Sequence, residues 1–240
     1  KYSVDLVYQN LVALENSSLN LFPQSKSPIL SSTFQKEITL HNVSYQYPNS
    51  PKPSLSGISL SIKKGEAIAL IGESGSGKTT LVDVILGLLT PSQGEIMVDG
   101  ENILSNLANW QRQIGYIPQS IYLCDDTIRG NIAFGLPLNQ INDEQVWKSL
   151  KAAQLEELVR NLPDQLDTLV GERGIRLSGG QRQRIGIARS LYHDPEILIM
   201  DEATAALDNN TEMEFMEALE SMAKYKTMII IAHRLTCLLY

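Results

Sequence analysis

Residues 67–80 read Ala67-Ile68-Ala69-Leu70-Ile71-Gly72-Glu73-Ser74-Gly75-Ser76-Gly77-Lys78-Thr79-Thr80. Ala67–Ile71 is an unbroken apolar run, the pattern of a strand buried on both faces. Gly72–Thr79 matches G-x-x-x-x-G-K-[ST] at every fixed position: Gly72, Gly77, Lys78 and Thr79. Beyond it Leu81, Val82, Val84, Ile85, Leu88 and Leu89 recur at helical spacing. The order strand, glycine-rich turn, helix is what a phosphate cradle needs. Glycines let the backbone turn tightly and aim N–H groups at an anion. Lys78 supplies a point charge for β- and γ-phosphates, and the Thr79 hydroxyl a hard donor for Mg²⁺. The following helix adds the positive end of its dipole. A Gly/Ser-rich loop with no ligand is the bland alternative, and the flanking strand and helix oppose it.

A second glycine-rich turn, Leu177-Ser178-Gly179-Gly180-Gln181, opens another helical pattern in which Ile185, Ala188 and Leu191 share a face. Ser178 can cap that helix or donate its hydroxyl to a phosphate. On its own the turn reads as a plain serine cap. Beside the first motif it is a second candidate phosphate site, which points to one nucleotide held between two surfaces. Downstream, Ile197-Leu198-Ile199-Met200 is a buried strand ending in Asp201-Glu202. Acidic groups at the carboxyl end of a strand in a parallel sheet lie where ligands bind. Asp201 can enter a Mg²⁺ shell, and Glu202 can polarise a water aimed at a γ-phosphate.

The rest of the chain frames these motifs. Ile38, Leu40, Val43 and Tyr45 predict a strand, as do Ile58–Ile62 with alternating exposure, Gly94–Gly100 between glycines, and Met228–Ile231. Residues 142–161 read as helical, as does a stretch near 211–223. Strands alternating with helices predict a largely parallel sheet with crossovers. Residues 1–15 place Val4, Val7, Leu11 and Leu14 on one helical face, and residues 16–33, rich in Ser, Asn and Pro, read as a linker. The net charge of −7 over 240 residues comes with no basic run, so no nucleic-acid partner is expected. Cys124 and Cys237 form no metal or redox pair and read as reduced thiols. No stretch approaches the roughly 18–20 apolar residues that cross a bilayer.

With these residues in order, the chain resembles the nucleotide-binding domain of ATP-binding cassette (ABC) transporters over residues 36–235. The resemblance implies an α/β fold similar to P-loop NTPases: a mostly parallel sheet core, an N-terminal antiparallel β part and an inserted α-helical subdomain over residues 120–190. It implies an ABC domain over 34–240, short of the terminal helix that family members carry. By the same resemblance Gly72–Thr80 is the Walker A loop, Leu177–Gln181 the signature, and Asp201-Glu202 the end of Walker B. Gln119, in Ile117-Pro118-Gln119, is the residue that senses Mg²⁺ and water. His233 contacts the γ-phosphate, and Asp208 belongs to the loop that crosses to a partner domain. Ala205 stands where family members often have Ser, which removes one hydroxyl from that loop. Tyr47 in Tyr45-Gln46-Tyr47-Pro48 is the expected adenine-stacking aromatic, with Tyr45 as its alternative.

The resemblance further implies ATP and Mg²⁺ as cofactors and a second nucleotide-binding domain, most simply a second copy, paired head to tail around two ATP. Val170–Gly174 and Thr127–Ile132 are similar to exporter-type members. In that setting residues 1–15 extend a preceding membrane helix, the helical layer receives the transmembrane domain, and the chain works at the cytoplasmic face. The overall wording is similar to bacterial exporters of lipid-linked sugars or polysaccharides. A soluble ABC ATPase of DNA repair or translation is the competing reading. It is opposed by the short, heptad-free stretch between Lys78 and Ser178 and by the single cassette.

Overall fold

The structure is a computed structural model that describes residues 33–201 and 225–232, with 213, 219, 222 and 223 between them. The expected N-terminal helix, all but Thr33 of the linker, and most of the 211–223 stretch lie outside the described residues.

Two four-stranded sheets carry the fold. The first contains β1 (Glu37–Tyr45), β2 (Leu55–Lys63), β4 (Gln93–Val98) and β5 (Glu101–Asn102), in the antiparallel order β2-β1-β4-β5. The second contains β3 (Ala67–Ile71), β6 (Ile114–Ile117), β7 (Ile197–Asp201) and β8 (Thr227–Ala232), in the parallel order β3-β8-β7-β6. In β1, Ile38, Leu40 and Val43 point inward despite their uneven spacing. A bulge reconciles them: Asn42 takes φ 48° and the register slips between Leu40 and Val43. Opposite it, any Cβ on Gly94 (φ 78°) would run into the carbonyl oxygens of His41 and Asn42, so this strand can only turn there with glycine.

The parallel sheet separates two cores, and the period of two along its strands assigns residues to each. Ile197, Ile199, Ile229 and Ile231 face the antiparallel sheet and α1 (Lys78–Ile85), beside Ile38, Leu40, Val82 and Ile85. Leu198, Met200 and Met228 face the helical layer, which comprises α3 (Ile128–Ile132), α4 (Asp143–Ala152), α5 (Glu156–Arg160) and α6 (Gly179–Leu191). Each fully buried Ile or Leu contributes about 1.5–3 kcal/mol of apolar transfer. The two-sided burial of β7 therefore explains its lack of any polar residue before Asp201. Between β5 and β6 lies α2 (Leu107–Arg112), whose Trp110 is buried and donates its indole N–H to the Ile85 carbonyl at 2.7 Å.

Three expectations are corrected. The strand β3 is not buried on both faces: Ile71 is 55 % exposed, because β3 is the edge of the parallel sheet among the described strands and pairs only with β8. The helix after the phosphate loop ends at Ile85 rather than running through Leu88 and Leu89. Gly87 turns at φ 71°, where a Cβ would strike Leu107, and Leu88 is left exposed. Residues 142–161 form two helices, α4 and α5, broken where Gln154 takes φ 56° and Arg184 donates to its carbonyl at 2.8 Å. That left-handed residue satisfies the last turn of α4 as a glycine would.

Chain entry into the domain is fixed by two side chains, Gln113 and Asp99. Phe34 is buried, its N–H donates to Gln113 Oε1 at 2.6 Å, and the N–H groups of Gln35, Lys36 and Glu37 donate to the Asp99 carboxylate at 2.6, 2.7 and 3.0 Å. Burial opposes ionisation of Asp99, but the three backbone donors and the Lys36 charge outweigh it and hold the carboxyl below its usual range.

Candidate phosphate-binding site

Strand register gathers the motifs at one end of the parallel sheet. Ile71 pairs with Ala232, Asp201 with Ile231, and Met200 with Ile117. The carboxyl ends of all four strands are therefore level. From that edge β3 opens the phosphate loop, β7 ends in Asp201, and β6 leads through Pro118 to Gln119, which is exposed. The next residue after Ala232 is His233; it, Glu202 and Asp208 lie outside the described residues.

The loop is a backbone cradle built around Gly77. It takes φ 93° at the start of α1, and a Cβ there would lie 2.6 Å from the Ser54 carbonyl oxygen. Only glycine fits. Lys78 Nζ donates to the carbonyls of Gly72 and Glu73, both at 2.8 Å, and reaches Ser76 Oγ at 3.5 Å. The ammonium is thus held against the loop, over the N-terminus of α1. Gly72 is also constrained, since a Cβ would lie 2.8 Å from Ser76 Oγ. Ser74 and Gly75 form the exposed crest.

The Thr79 hydroxyl donates to Asp201 Oδ2 at 3.3 Å, so the two residues read as cation donors meet across 122 positions of sequence. Asp201 is only 5 % exposed. Its field extends to Asp83, one turn after Thr79 on α1, whose carboxyl is raised by burial and then by Asp201. On β6, Tyr116 is pushed up to about 12, by burial first and then by Asp201 and Asp83. Hydroxyl and carboxylate oxygens in a negative, half-buried setting suit a hard divalent cation. Among the described residues no group of three or more His, Cys, Asp or Glu is placed to hold a metal by itself. Sequence reading missed Asp83 and Tyr116. The signal for Asp83 was its i+4 spacing from Thr79.

The two aromatics differ in exposure. Tyr45 packs against the core of the antiparallel sheet. Tyr47, past the end of β1, is 39 % exposed. The rings meet edge to face at 5.0 Å. Tyr47's hydroxyl lies 3.2 Å from Thr80 Oγ1, which places its ring beside the start of α1. At the other glycine-rich turn Ser178 caps α6 in a reciprocal box: Gln181 N–H donates to Ser178 Oγ at 3.2 Å and Ser178 N–H to Gln181 Oε1 at 2.9 Å. Gly179 and Gly180 are half-buried there, and Ser178 is exposed. The two turns belong to different cores. Val82 and Ile85 of α1 sit in one, and Ile185, Ala188 and Leu191 of α6 in the other.

Such a loop at the carboxyl edge of a parallel sheet, with a Thr–Asp pair beneath it, defines a P-loop NTPase fold. The ABC transporter family model matches residues 55–205, so the chain belongs to that family. The ATP-dependent lipid A-core flippase of Cupriavidus metallidurans is 43 % identical over 202 residues, covering 83 % of this chain and 34 % of that protein. A putative multidrug export ATP-binding/permease protein of Staphylococcus aureus is 44 % identical over 203 residues, covering 84 % of this chain and 35 % of that protein. Among solved structures, a bacterial Atm1-family ABC exporter with ATP bound matches with a TM-score of 0.80 and 33 % identity, over 96 % of this chain and 41 % of that one. The chain spans about a third of the length of the curated relatives it matches. Among the described residues no helix is long and apolar enough to cross a membrane.

Proposed function

We propose that this chain is the ATP-binding and hydrolysing motor domain of an ABC exporter. The observation that carries the reading is the contact of Thr79 with Asp201 directly beneath the Gly72–Thr79 cradle. The loop N–H groups and Lys78 hold the β- and γ-phosphates, Thr80 completes the nucleotide-binding loop, and Tyr47 stacks on the adenine. Thr79, Asp201 and Gln119 are the donors for Mg²⁺. When bound, that ion would neutralise charge building on the phosphate oxygens. Glu202 accepts a proton from the attacking water, and His233 and Gln119 orient the water and the γ-phosphate. Ser178–Gln181 closes on the nucleotide of a second copy, and Asp208 crosses the same interface.

In the same reading the domain covers residues 34–240, residues 16–33 link it to the extension 1–15 of a membrane helix, and the helices within 120–190 receive a transmembrane domain at the cytoplasmic face. The relatives are named for lipid A-core flipping and multidrug export. A lipid-linked sugar or polysaccharide is the cargo class we favour.

Pairing tests the reading. Without nucleotide the chain should be monomeric, since the surfaces that meet are polar and phosphate-facing; with ATP it should pair. Ser178→Arg puts a bulky cation in the glycine-lined turn and should block pairing while sparing ATP binding. Light scattering with and without ATP decides, and a tight dimer that ignores ATP would contradict the model.

Tyr47 should act through its ring. Base–aromatic stacking is worth roughly 1–3 kcal/mol, so Tyr47→Ala should weaken ATP binding by up to about a hundredfold. Tyr47→Phe keeps the ring and loses only the contact with Thr80, a neutral hydrogen bond worth about 0.5–1.5 kcal/mol, so its loss should stay near or below tenfold. Calorimetric titration compares them. A large loss in Tyr45→Ala with none in Tyr47→Ala would reverse the assignment.

A further inference from the structure

We propose that α6 seats the segment following Gln119, so that Gly186 and Arg189 act as positioning residues for Gln119 and join it mechanically to the Ser178–Gln181 turn. This rests on the reading of the site given above.

Two adjacent contacts make the seat. Ile121, two residues after Gln119, fills a notch that exists only because residue 186 is glycine. A Cβ there would strike Ile121 Cδ1 and lie 2.7 Å from its Cγ1 and 2.9 Å from its Cγ2. One turn further along α6, Arg189 Nη1 donates to the carbonyl of Tyr122 at 2.9 Å. The same guanidinium spreads across the rest of the segment: Nε donates to the Asn131 carbonyl at 2.7 Å and Nη2 to Asn131 Oδ1 at 3.1 Å. Its plane lies over the Phe134 ring, 4.9 Å from the centroid.

Asn131 makes the segment rigid. It is fully buried, accepts from Cys124 N–H at 2.9 Å, and donates from Nδ2 to the carbonyls of Cys124 and Thr127 at 3.1 and 3.0 Å. Every donor and acceptor of its amide is therefore engaged, and residues 122–134 behave as one piece fastened to α6. Gln119 itself stands on the exposed stretch between that piece and β6. Its position is set by β6 on one side and by α6 on the other. Because α6 is a continuous helix of 13 residues, Ser178 at its start and Arg189 are rigidly related, roughly 16 Å apart. A shift of Gln119 toward or away from a cation then moves with the turn that meets the partner's nucleotide.

The lysine variant Arg189→Lys keeps the charge but cannot span Tyr122 and Asn131 with one planar fork. Gly186→Ala leaves every charge in place and pushes Ile121 out of its notch. Calorimetric titration with ATP in EDTA, and again with Mg²⁺, separates a positioning role from a structural one. The Mg²⁺-dependent gain in ATP affinity should fall about tenfold in both variants, as in Gln119→Ala, since residues supporting a metal ligand are worth roughly 10–100-fold in metal affinity. Affinity in EDTA should be unchanged in the two α6 variants. Adding Ile121→Ala to Gly186→Ala should restore the gain, and adding Arg189→Lys to Gln119→Ala should lower it no further. In the nucleotide-free chain, amide exchange across Gln119–Cys124 should quicken in both α6 variants. Parallel loss of affinity in EDTA, a gain retained in either α6 variant or in Gln119→Ala, or unchanged exchange would each overturn the proposal. A parental chain that binds no ATP in either condition would overturn the proposed function itself.

Discussion

Lys78→Ala is expected to remove ATP binding at micromolar nucleotide while the fold stays intact. The side chain contributes nothing to either core. It lies along the phosphate loop with its ammonium on the carbonyls of Gly72 and Glu73. Without ligand those carbonyls lose a donor but remain beside solvent, so the structural penalty is small. With ligand, in the proposed function, the ammonium is the compact charge that meets the terminal phosphates. Truncating one member of a buried, hydrogen-bonded charge pair costs about 2–5 kcal/mol, or about thirty- to several-thousand-fold in affinity. Circular dichroism and nucleotide titration on the same sample make the comparison. Parental affinity in the folded variant would show that the loop is not the phosphate site.

The loop 72–80 was legible because its constraints are local. A glycine forced to φ 93° against the Ser54 carbonyl, and a lysine and a hydroxyl at fixed offsets, leave a mark in one short window. The buried parallel strands were legible for a related reason. Core on both faces of β7 forbids polar residues before Asp201, and the apolar run states that directly. What failed depends on strand order and distant packing. Ile71 reads as a core residue, yet its exposure follows from β3 standing at the edge of its sheet, which no window of sequence encodes. Nothing about Gln154 announces a left-handed turn. Its conformation is held by Arg184 from α6, 30 positions away. Leu88 keeps the helical period after the helix has ended, because the stop is set by Gly87 packing on Leu107. The Thr79–Asp201 contact was readable as two roles but not as one place, and the contact of Arg189 with Asn131, 58 positions apart, left no sign in the sequence at all. Between Lys78 and Ser178 the described helices α2 to α5 are each 10 residues or shorter, with no long coiled coil of the kind expected of DNA-repair members.

Glu202→Gln should separate binding from turnover more sharply than any other substitution. Glu202 follows Asp201 directly, and the pair carries two different duties in the proposed mechanism. Asp201, buried at the end of β7 with Oδ2 on the Thr79 hydroxyl, is committed to the cation. Glu202, outside the described residues, is left as the base. The amide has the size of the carboxylate and still hydrogen-bonds water, but it accepts no proton. Loss of a general base costs roughly 10²–10⁴ in rate. Lys78, Thr79, Asp201 and the Ser178 turn are untouched, so ATP affinity should match the parent. Binding without turnover should then accumulate the paired, ATP-bound form, because in the proposed mechanism hydrolysis is the step that releases the partner. Size-exclusion chromatography at high protein concentration should resolve an ATP-dependent dimer that persists in Glu202→Gln and that dissociates in the parent as its ATP is hydrolysed. Combining it with Ser178→Arg should abolish that dimer while nucleotide binding persists, which ties the trapped species to the glycine-rich turn rather than to aggregation. Hydrolysis by Glu202→Gln at the parental rate would remove Glu202 from the mechanism and leave the attacking water without its base.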